Sequence, residues 1–440
     1  MTYIWLDLCY LLLMIIISPW VIYRIIFQKR YRHGWKERLG LLPKRFSHQP
    51  CIWIHAVSMG EINAICSLLK QLEKTLPQYE FVISSTTDTG IDQAGKLYGN
   101  THSVFFFPLD FSWAVKQAFA RLKPSACILM ELEVWHNFTT IAAKRGIPVI
   151  VANGRISSSK GFQRYRKIAP LVRPMFRSLA LVLAQDQTYA NRFEFLGVPS
   201  NRLQIAGSLK YDTAEVSDTI AGADQLARRL LLNHNDPILV AGSTGPGEEK
   251  IILESFGQLL QRKELADLRL IIVPRKPERF DEVAHLIESN DYRILRYSRI
   301  KTDAQTVGQD DSSAVILGDT MGDLRKFYSL ATVIFVGRSL VPMGGSDMIE
   351  AAALAKPVIV GPFTDNFTES MEKLIASQAV EIVADSQQLT TTAAKLLSGH
   401  QTAKAMGRRA QKVIIDNQGA TIRSATAIAK LLTSGLCSRS

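Results

Sequence analysis

The sequence predicts an α/β protein built from two doubly wound parallel sheets, and three observations carry the prediction. Short β-branched apolar runs alternate with helix-length amphipathic stretches, the pattern of a parallel sheet covered by helices on both faces. The alternation pauses at a polar stretch, Tyr211 to Gly222, and then resumes. A chain of 440 residues also exceeds what one core ordinarily organises, so two domains of roughly 200 residues are expected.

The predicted strands of the first half are Cys51–His55, Phe81–Ser85, Val104–Phe107, Ala126–Met130, Val149–Ala152 and Leu181–Ala184. Those of the second half are Ile238–Ala241, Leu270–Val273, Val315–Leu317, Val333–Val336, Val358–Val360 and Glu381–Val383. The division is therefore residues 47–212 and 223–415, joined by a linker at 213–222, with a C-terminal helix and tail at 416–440. Thr302 to Ser313 reads as a polar surface loop, and no repeat with the period of a solenoid is visible.

Residues 1–28 read as an amino-terminal transmembrane anchor, because Leu8 to Tyr23 is apolar apart from Ser18-Pro19 and the only charges between Tyr3 and Phe27 are Asp7 and Arg24. Basic residues follow this segment instead of preceding it, which argues against a cleaved signal peptide. The same placement puts the rest of the chain on the cytoplasmic side of the membrane. On this reading the segment packs in lipid and is dispensable for folding. Of the net charge of +12, most comes from a juxtamembrane stretch at 29–46 and its border, where Arg24, Lys29, Arg30, Arg32, Lys36, Arg38, Lys44 and Arg45 face only Glu37. So local an excess points to an anionic membrane surface and away from nucleic acid. The five cysteines form no CxxC pair and the eight histidines no metal-ligand spacing, so buried thiols in a reducing compartment and no metal site are expected.

In doubly wound sheets ligands sit beyond the carboxyl ends of strands, which makes the residues after each run the candidates for chemistry. His55-Ala-Val-Ser58-Met-Gly60-Glu61 turns into a helix whose first turn carries Glu61. A carboxylate there can serve as a general base towards an acceptor hydroxyl, or simply complement the helix dipole. Glu131-Leu-Glu133-Val-Trp135-His136-Asn137 places two carboxylates beside a tryptophan at the next strand end, where a capped helix start is the other reading. Asn153-Gly-Arg155 and Gly207-Ser-Leu-Lys210-Tyr-Asp212 each add a cation suited to anionic substrates. In the second half, Ala241-Gly-Ser243-Thr244-Gly-Pro-Gly-Glu-Glu249 is a strand-to-helix turn whose N–H groups and hydroxyls could cradle a phosphate, although it is neither a P-loop nor a dinucleotide fingerprint. Arg275 and Lys276 add charge, and Gly337-Arg338-Ser339-Leu-Val-Pro-Met343-Gly344-Gly345-Ser346-Asp347-Met348-Ile349-Glu350 is a glycine-rich loop that opens another helix.

Taken in order, HAVSMGE, ELEVWHN, NGRIS, GSLKYD, AGSTGPGEE, VPRKPERF, GDTMGDL and SLVPMGG with the later KPVIVGP resemble the bacterial 3-deoxy-D-manno-octulosonic acid (Kdo) transferases. The resemblance runs from the anchor to about Asn417. It implies a GT-B fold of two facing Rossmann-like domains, an inner-membrane location with cytoplasmic catalytic domains, and metal-free, inverting transfer of Kdo from CMP-Kdo to the lipid A precursor (lipid IVA). It assigns Glu61 as general base and Ser58, Glu131, Glu133, Arg155 and Lys210 to the acceptor side. The donor pocket would comprise Ser243, Thr244, Arg275, Lys276, Gly344, Gly345, Met348 and Glu350. The chain departs from the family pattern at His136, Gly245, Lys276, Ser346 and Asp347. Lys276 stands where the family more often has histidine, which moves phosphate recognition to an amine. A UDP-sugar transferase or epimerase of the same architecture, and a tethered nucleotide-sugar sensor that does not turn over, are the competing readings.

Overall fold

A computed structural model describes residues 2–27, 33–45, 47–157, 161–233, 236–303, 307–308 and 313–437. The chain divides into two compact units, Met1–Thr213 with Gln418–Ser440, and Ala214–Asn417.

The first unit holds a seven-stranded sheet in the order β3-β2-β1-β4-β5-β6-β7. Its strands are β1 Cys51–His55, β2 Glu80–Ser85, β3 Ser103–Phe106, β4 Ala126–Met130, β5 Val149–Gly154, β6 Leu181–Ala184 and β7 Leu203–Ile205. All of their pairings are parallel. The strand order reverses between β1 and β4, which lie side by side with His55 opposite Leu129. One face of the sheet packs an aromatic core around the fully buried Trp53, whose ring meets Phe105, Phe107, Phe119 and Phe138 and whose Nε1–H donates to Ser84 Oγ at 2.7 Å. The other face is covered partly by the final helix, Ala420–Cys437, which packs on the helix Met59–Thr75. Asp212 anchors that return, its carboxylate accepting the Gly419 and Thr421 N–H groups.

The second unit repeats the plan in the order β10-β11-β9-β8-β12-β13-β14, again wholly parallel. Here the strands are β8 Ile238–Thr244, β9 Arg269–Pro274, β10 Ile294–Arg296, β11 Val315–Leu317, β12 Val333–Val336, β13 Val358–Val360 and β14 Val380–Ile382. The reversal falls between β8 and β12, with Gly242 opposite Val336. Sequence reading missed β7 and β10. Each is a three-residue edge strand without a continuous apolar run, and β7 is largely exposed.

The expected transmembrane anchor is not confirmed. Thr2–Phe27 is helical, and Trp5, Ile16, Trp20 and Phe27 are exposed on it. Among the described residues, however, no helix is long and apolar enough to cross a membrane. Its first turns pack on protein. Asp7 accepts the Ser112 N–H at 2.9 Å, the Ser112 hydroxyl at 2.6 Å and the Asn137 Nδ2–H at 3.0 Å. The Tyr10 hydroxyl donates to Asp110, which itself accepts the Asn137 and Phe138 N–H groups. The helices Ser112–Leu122 and His136–Lys144 lack a side-chain cap of their own, so Asp7 and Asp110 satisfy their first N–H groups from outside. A carboxylate that would be costly in hydrocarbon thus acts as a cap. Asp7→Ala should destabilise the first unit by about 1–2 kcal/mol, the usual cost of losing a cap plus one buried hydrogen bond. A urea midpoint within error of the wild type would show the contact to be idle. Lys29, Arg30 and Arg32 of the basic segment lie outside the described residues.

Candidate functional site

Both sheets carry their motifs where the strand order reverses. In the first unit Ser58 caps the helix Met59–Thr75, its Oγ accepting the Glu61 N–H at 3.3 Å and donating to Glu61 Oε1 at 3.0 Å. Glu61 Oε2 accepts the Val57 N–H at 3.0 Å. This is a capping box, so the helix-start reading of Glu61 holds. It does not exhaust the carboxylate, whose two oxygens together offer about four acceptor positions. Val57 is itself clamped, its carbonyl accepting the Ser85 hydroxyl at 2.9 Å and the Thr87 hydroxyl at 2.6 Å. Behind it His55 is fully buried, stacked 3.7 Å from Phe107, and burial lowers its pKa to about 3, so the imidazole is neutral.

Glu131 and Glu133, one strand over, join Glu61 electrostatically. Burial and then the charge of Glu131 raise the Glu61 pKa, against hydrogen bonds from Val57 and Ser58 that lower it. Burial and then the charge of Glu61 push Glu133 up to about 7, although Trp135 Nε1–H donates to it at 3.1 Å. Glu61 and Glu133, buried and close enough to repel one another, thus both hold a proton more tightly than an ordinary glutamate. Arg155 Nε stands 3.8 Å from Glu131 Oε2. Asn153 links the remaining motif, its Oδ1 accepting the Leu209 N–H at the start of the helix Leu209–Asp212 that carries Lys210.

In the second unit the first glycine-rich turn is tied up internally. Glu248, fully buried, accepts N–H groups from Gly245 at 2.8 Å, Arg338 at 2.5 Å, Ser339 at 2.7 Å and Leu340 at 2.8 Å. Thr244 Oγ1 donates to Glu249, which also takes both terminal nitrogens of Arg279. The donors expected to hold a phosphate at Gly245 and Thr244 therefore hold carboxylates of the chain itself. Sequence reasoning assigned no role to Glu248 or Glu249, which stand in the first turn of the helix Glu248–Leu260.

The second loop is differently disposed. Gly344 and Gly345 have φ of 81° and 82°, and a Cβ on Gly344 would sit 2.3 Å from Asn366 Nδ2. The Ser346 hydroxyl donates to the Ser243 carbonyl at 3.2 Å, which joins this loop to the β8 turn. Met348 is buried at the head of the short helix Ile349–Ala352. Glu350 has its pKa raised by burial and Asp347, while Arg325 and Arg275 oppose the shift. Arg275 and Lys276 are exposed just past β9. Ser243, Arg275, Ser346 and Glu350 thus converge on the carboxyl ends of β8, β9 and β12. A separate cavity of about 660 Å³, lined in part by Asp218, Lys356, His400 and Arg408, opens at the amino ends of β8, β12 and β13, away from these motifs. Among the described residues no group of three or more His, Cys, Asp or Glu is placed to hold a metal ion.

Comparison with known proteins agrees with this layout. The family model described as 3-deoxy-D-manno-octulosonic-acid transferase matches residues 33–213. The 3-deoxy-D-manno-octulosonic acid transferase of Haemophilus influenzae is 33% identical over 95% of this chain and 93% of its own length. That of Bordetella pertussis is 31% identical over 86% of each chain. Solved structures share the fold at low identity: a glycosyltransferase from Rickettsia africae has a TM-score of 0.56 at 14% identity, covering 88% of this chain and 99% of that one. A putative UDP-N-acetylglucosamine 2-epimerase from Listeria monocytogenes scores 0.57 at 12% identity over 88% and 97%. Two parallel Rossmann-like units of the GT-B type can serve transferase and epimerase alike, so fold does not choose between those activities. The sequence relationship does choose: this chain belongs to the Kdo transferase family and is a Kdo-transferring glycosyltransferase of lipopolysaccharide biosynthesis.

Proposed function

We propose that the protein moves Kdo from CMP-Kdo to a hydroxyl of the lipid A precursor (lipid IVA), with inversion at the ketosidic carbon and with Glu61 as general base. The observation that carries the reading is the acidic trio at the β1–β4 reversal, whose burial and mutual repulsion raise the proton affinity of Glu61. A base gains from a pKa nearer the working pH, provided that it stays ionised enough to act. The acceptor oxygen bonds to the ketosidic carbon as its proton passes to Glu61. The bond from that carbon to the phosphate oxygen breaks, and CMP leaves with the electron pair. Negative charge grows on the departing phosphate, a demand that the cations Arg275 and Lys276 suit. Arg155 and Lys210 suit the phosphates of the acceptor, and Glu350 suits the ribose hydroxyls. The named residues supply the acid–base and electrostatic work without a metal. The exposed apolar face of the helix Thr2–Phe27, with the basic residues after it, would hold the enzyme at the inner membrane surface.

The direct test is mass spectrometry of a tetraacylated, bisphosphorylated lipid A precursor incubated with enzyme and CMP-Kdo. The expected product gains one or more Kdo units; no gain, with a Kdo acceptor of another class modified instead, would reassign the acceptor. The pH profile provides a second check. Glu61 must be ionised to accept a proton, so kcat/KM should climb with pH and level off above its raised pKa, placing the acid limb above the ordinary glutamate range. Glu131→Gln removes a like charge, which lowers the Glu61 pKa and should move that limb to lower pH. A limb that stays put in the variant would separate the trio from the base.

A further inference from the structure

Among the described residues, ten non-glycine positions have positive φ. Lys123, Leu231, Asp291, Asp303, Ala355 and Gln378 follow the last turns of helices, a common place for that conformation. The other four are Glu131, Asn153, Ser243 and Arg338, and they stand at or just past the carboxyl ends of β4, β5, β8 and β12. Glu131, Asn153 and Ser243 have a part in the site already described. Arg338, with φ of 59° near the start of the 337–350 loop, has so far been given a role only for its backbone N–H.

The left-handed region disfavours a long side chain, and arginine lacks the short polar group with which asparagine or aspartate eases the strain. Its backbone is over-determined here: its N–H goes to Glu248 and its carbonyl accepts the Gly345 N–H at 2.7 Å. Glycine would meet both demands without strain, so the conformation leaves the guanidinium as what the site retains. That side chain lies between the two glycine-rich segments. A Cβ on Gly245 would come within 3.1 Å of Arg338 Cγ and 2.7 Å of Met343 Sδ. One Nη2–H reaches the Met343 carbonyl at 3.3 Å, a long bond that leaves the rest of a five-donor fork. The half-buried cation therefore sits over the Ser243–Gly247 turn, beside the Met343–Ser346 loop, where Glu248 and Glu249 have already taken the Gly245 N–H and the Thr244 hydroxyl.

We propose that Arg338 is an anion contact of the donor site, its guanidinium taking the phosphate of the cytidine monophosphate moiety in place of the occupied turn donors. This deepens the reading of CMP-Kdo as donor and rests on it.

Arg338→Gly tests it, because glycine relieves the backbone and the variant should melt no lower than the wild type. CMP and cytidine would be titrated into both proteins, cytidine by competition, with Arg338→Lys alongside. The expected result is a loss of CMP affinity of about tenfold or more in Arg338→Gly, the scale of a charge-assisted hydrogen bond, with cytidine binding unchanged and Lys partly restoring CMP. Unchanged CMP affinity would overturn the proposal. So would equal losses for CMP and cytidine, which would reduce Arg338 to a staple of its loop. Wild-type protein that binds no CMP would remove the donor reading itself and the proposal with it, an outcome distinct from the other two.

Discussion

Glu61→Gln is expected to lower kcat by about 10² to 10⁴-fold, the usual contribution of a positioned general base, while CMP affinity stays within a few-fold. The substitution is conservative in this environment. The amide oxygen of glutamine can accept the Val57 N–H, and its NH2 group can donate to Ser58 Oγ, which still accepts the residue 61 N–H. The capping box and the helix start survive, so thermal stability should be nearly unchanged and only the proton acceptor is lost. Steady-state turnover with CMP-Kdo and lipid acceptor, measured beside CMP titration, separates the roles. Near-normal turnover would reduce Glu61 to its capping role and remove it from the mechanism. Intact donor binding with no turnover would also dispose of the sensor reading for the wild type, because a sensor has no use for a base.

The second large effect is expected at Glu248. Its carboxylate is the shared acceptor for the Gly245, Arg338, Ser339 and Leu340 N–H groups, and it is fully buried. Glu248→Ala leaves those donors facing a cavity. Each unsatisfied buried N–H costs about 1–3 kcal/mol, partly offset by no longer burying a charge, so a net loss of roughly 3–5 kcal/mol is expected. Glu248→Gln should be nearly as harmful, because its NH2 group would be turned towards N–H donors. Urea unfolding gives the stability, and CMP titration the effect on the turn and loop that Glu248 joins. A loss below about 1 kcal/mol would mean that the loop re-forms its hydrogen bonds elsewhere, and the carboxylate would no longer explain the loop conformation.

Several features of the site were legible because they depend on local chemistry. The turn after the first apolar run placed Glu61 in the first turn of a helix, and it stands there, with Ser58 as the cap. The mutual influence of Glu61, Glu131 and Glu133 was not legible. It arises because β1 and β4 are neighbours in the sheet although the paired His55 and Leu129 stand 74 positions apart in the chain, too far to form any local pattern. The same holds for Glu248: in sequence it is an acid in the first turn of a helix, and only the approach of β12 to β8 delivers the Arg338–Leu340 N–H groups to it.

The amino-terminal helix shows the division from the other side. Its apolar composition made a helix evident, and Thr2–Phe27 is one. That Asp7 caps a helix more than a hundred residues away depended on where the Ser112 helix begins in space. By itself the sequence determined the class of fold, the central strands and the family, because apolar periodicity and short motifs are local and register directly in residue order. The tertiary structure alone decided which carboxylates interact, which glycine-loop donors are already occupied, and that the final helix Ala420–Cys437 returns to the first unit. The physical reason is that a buried charge takes its energy from whatever surrounds it in space, and in a doubly wound sheet those neighbours come from distant parts of the chain.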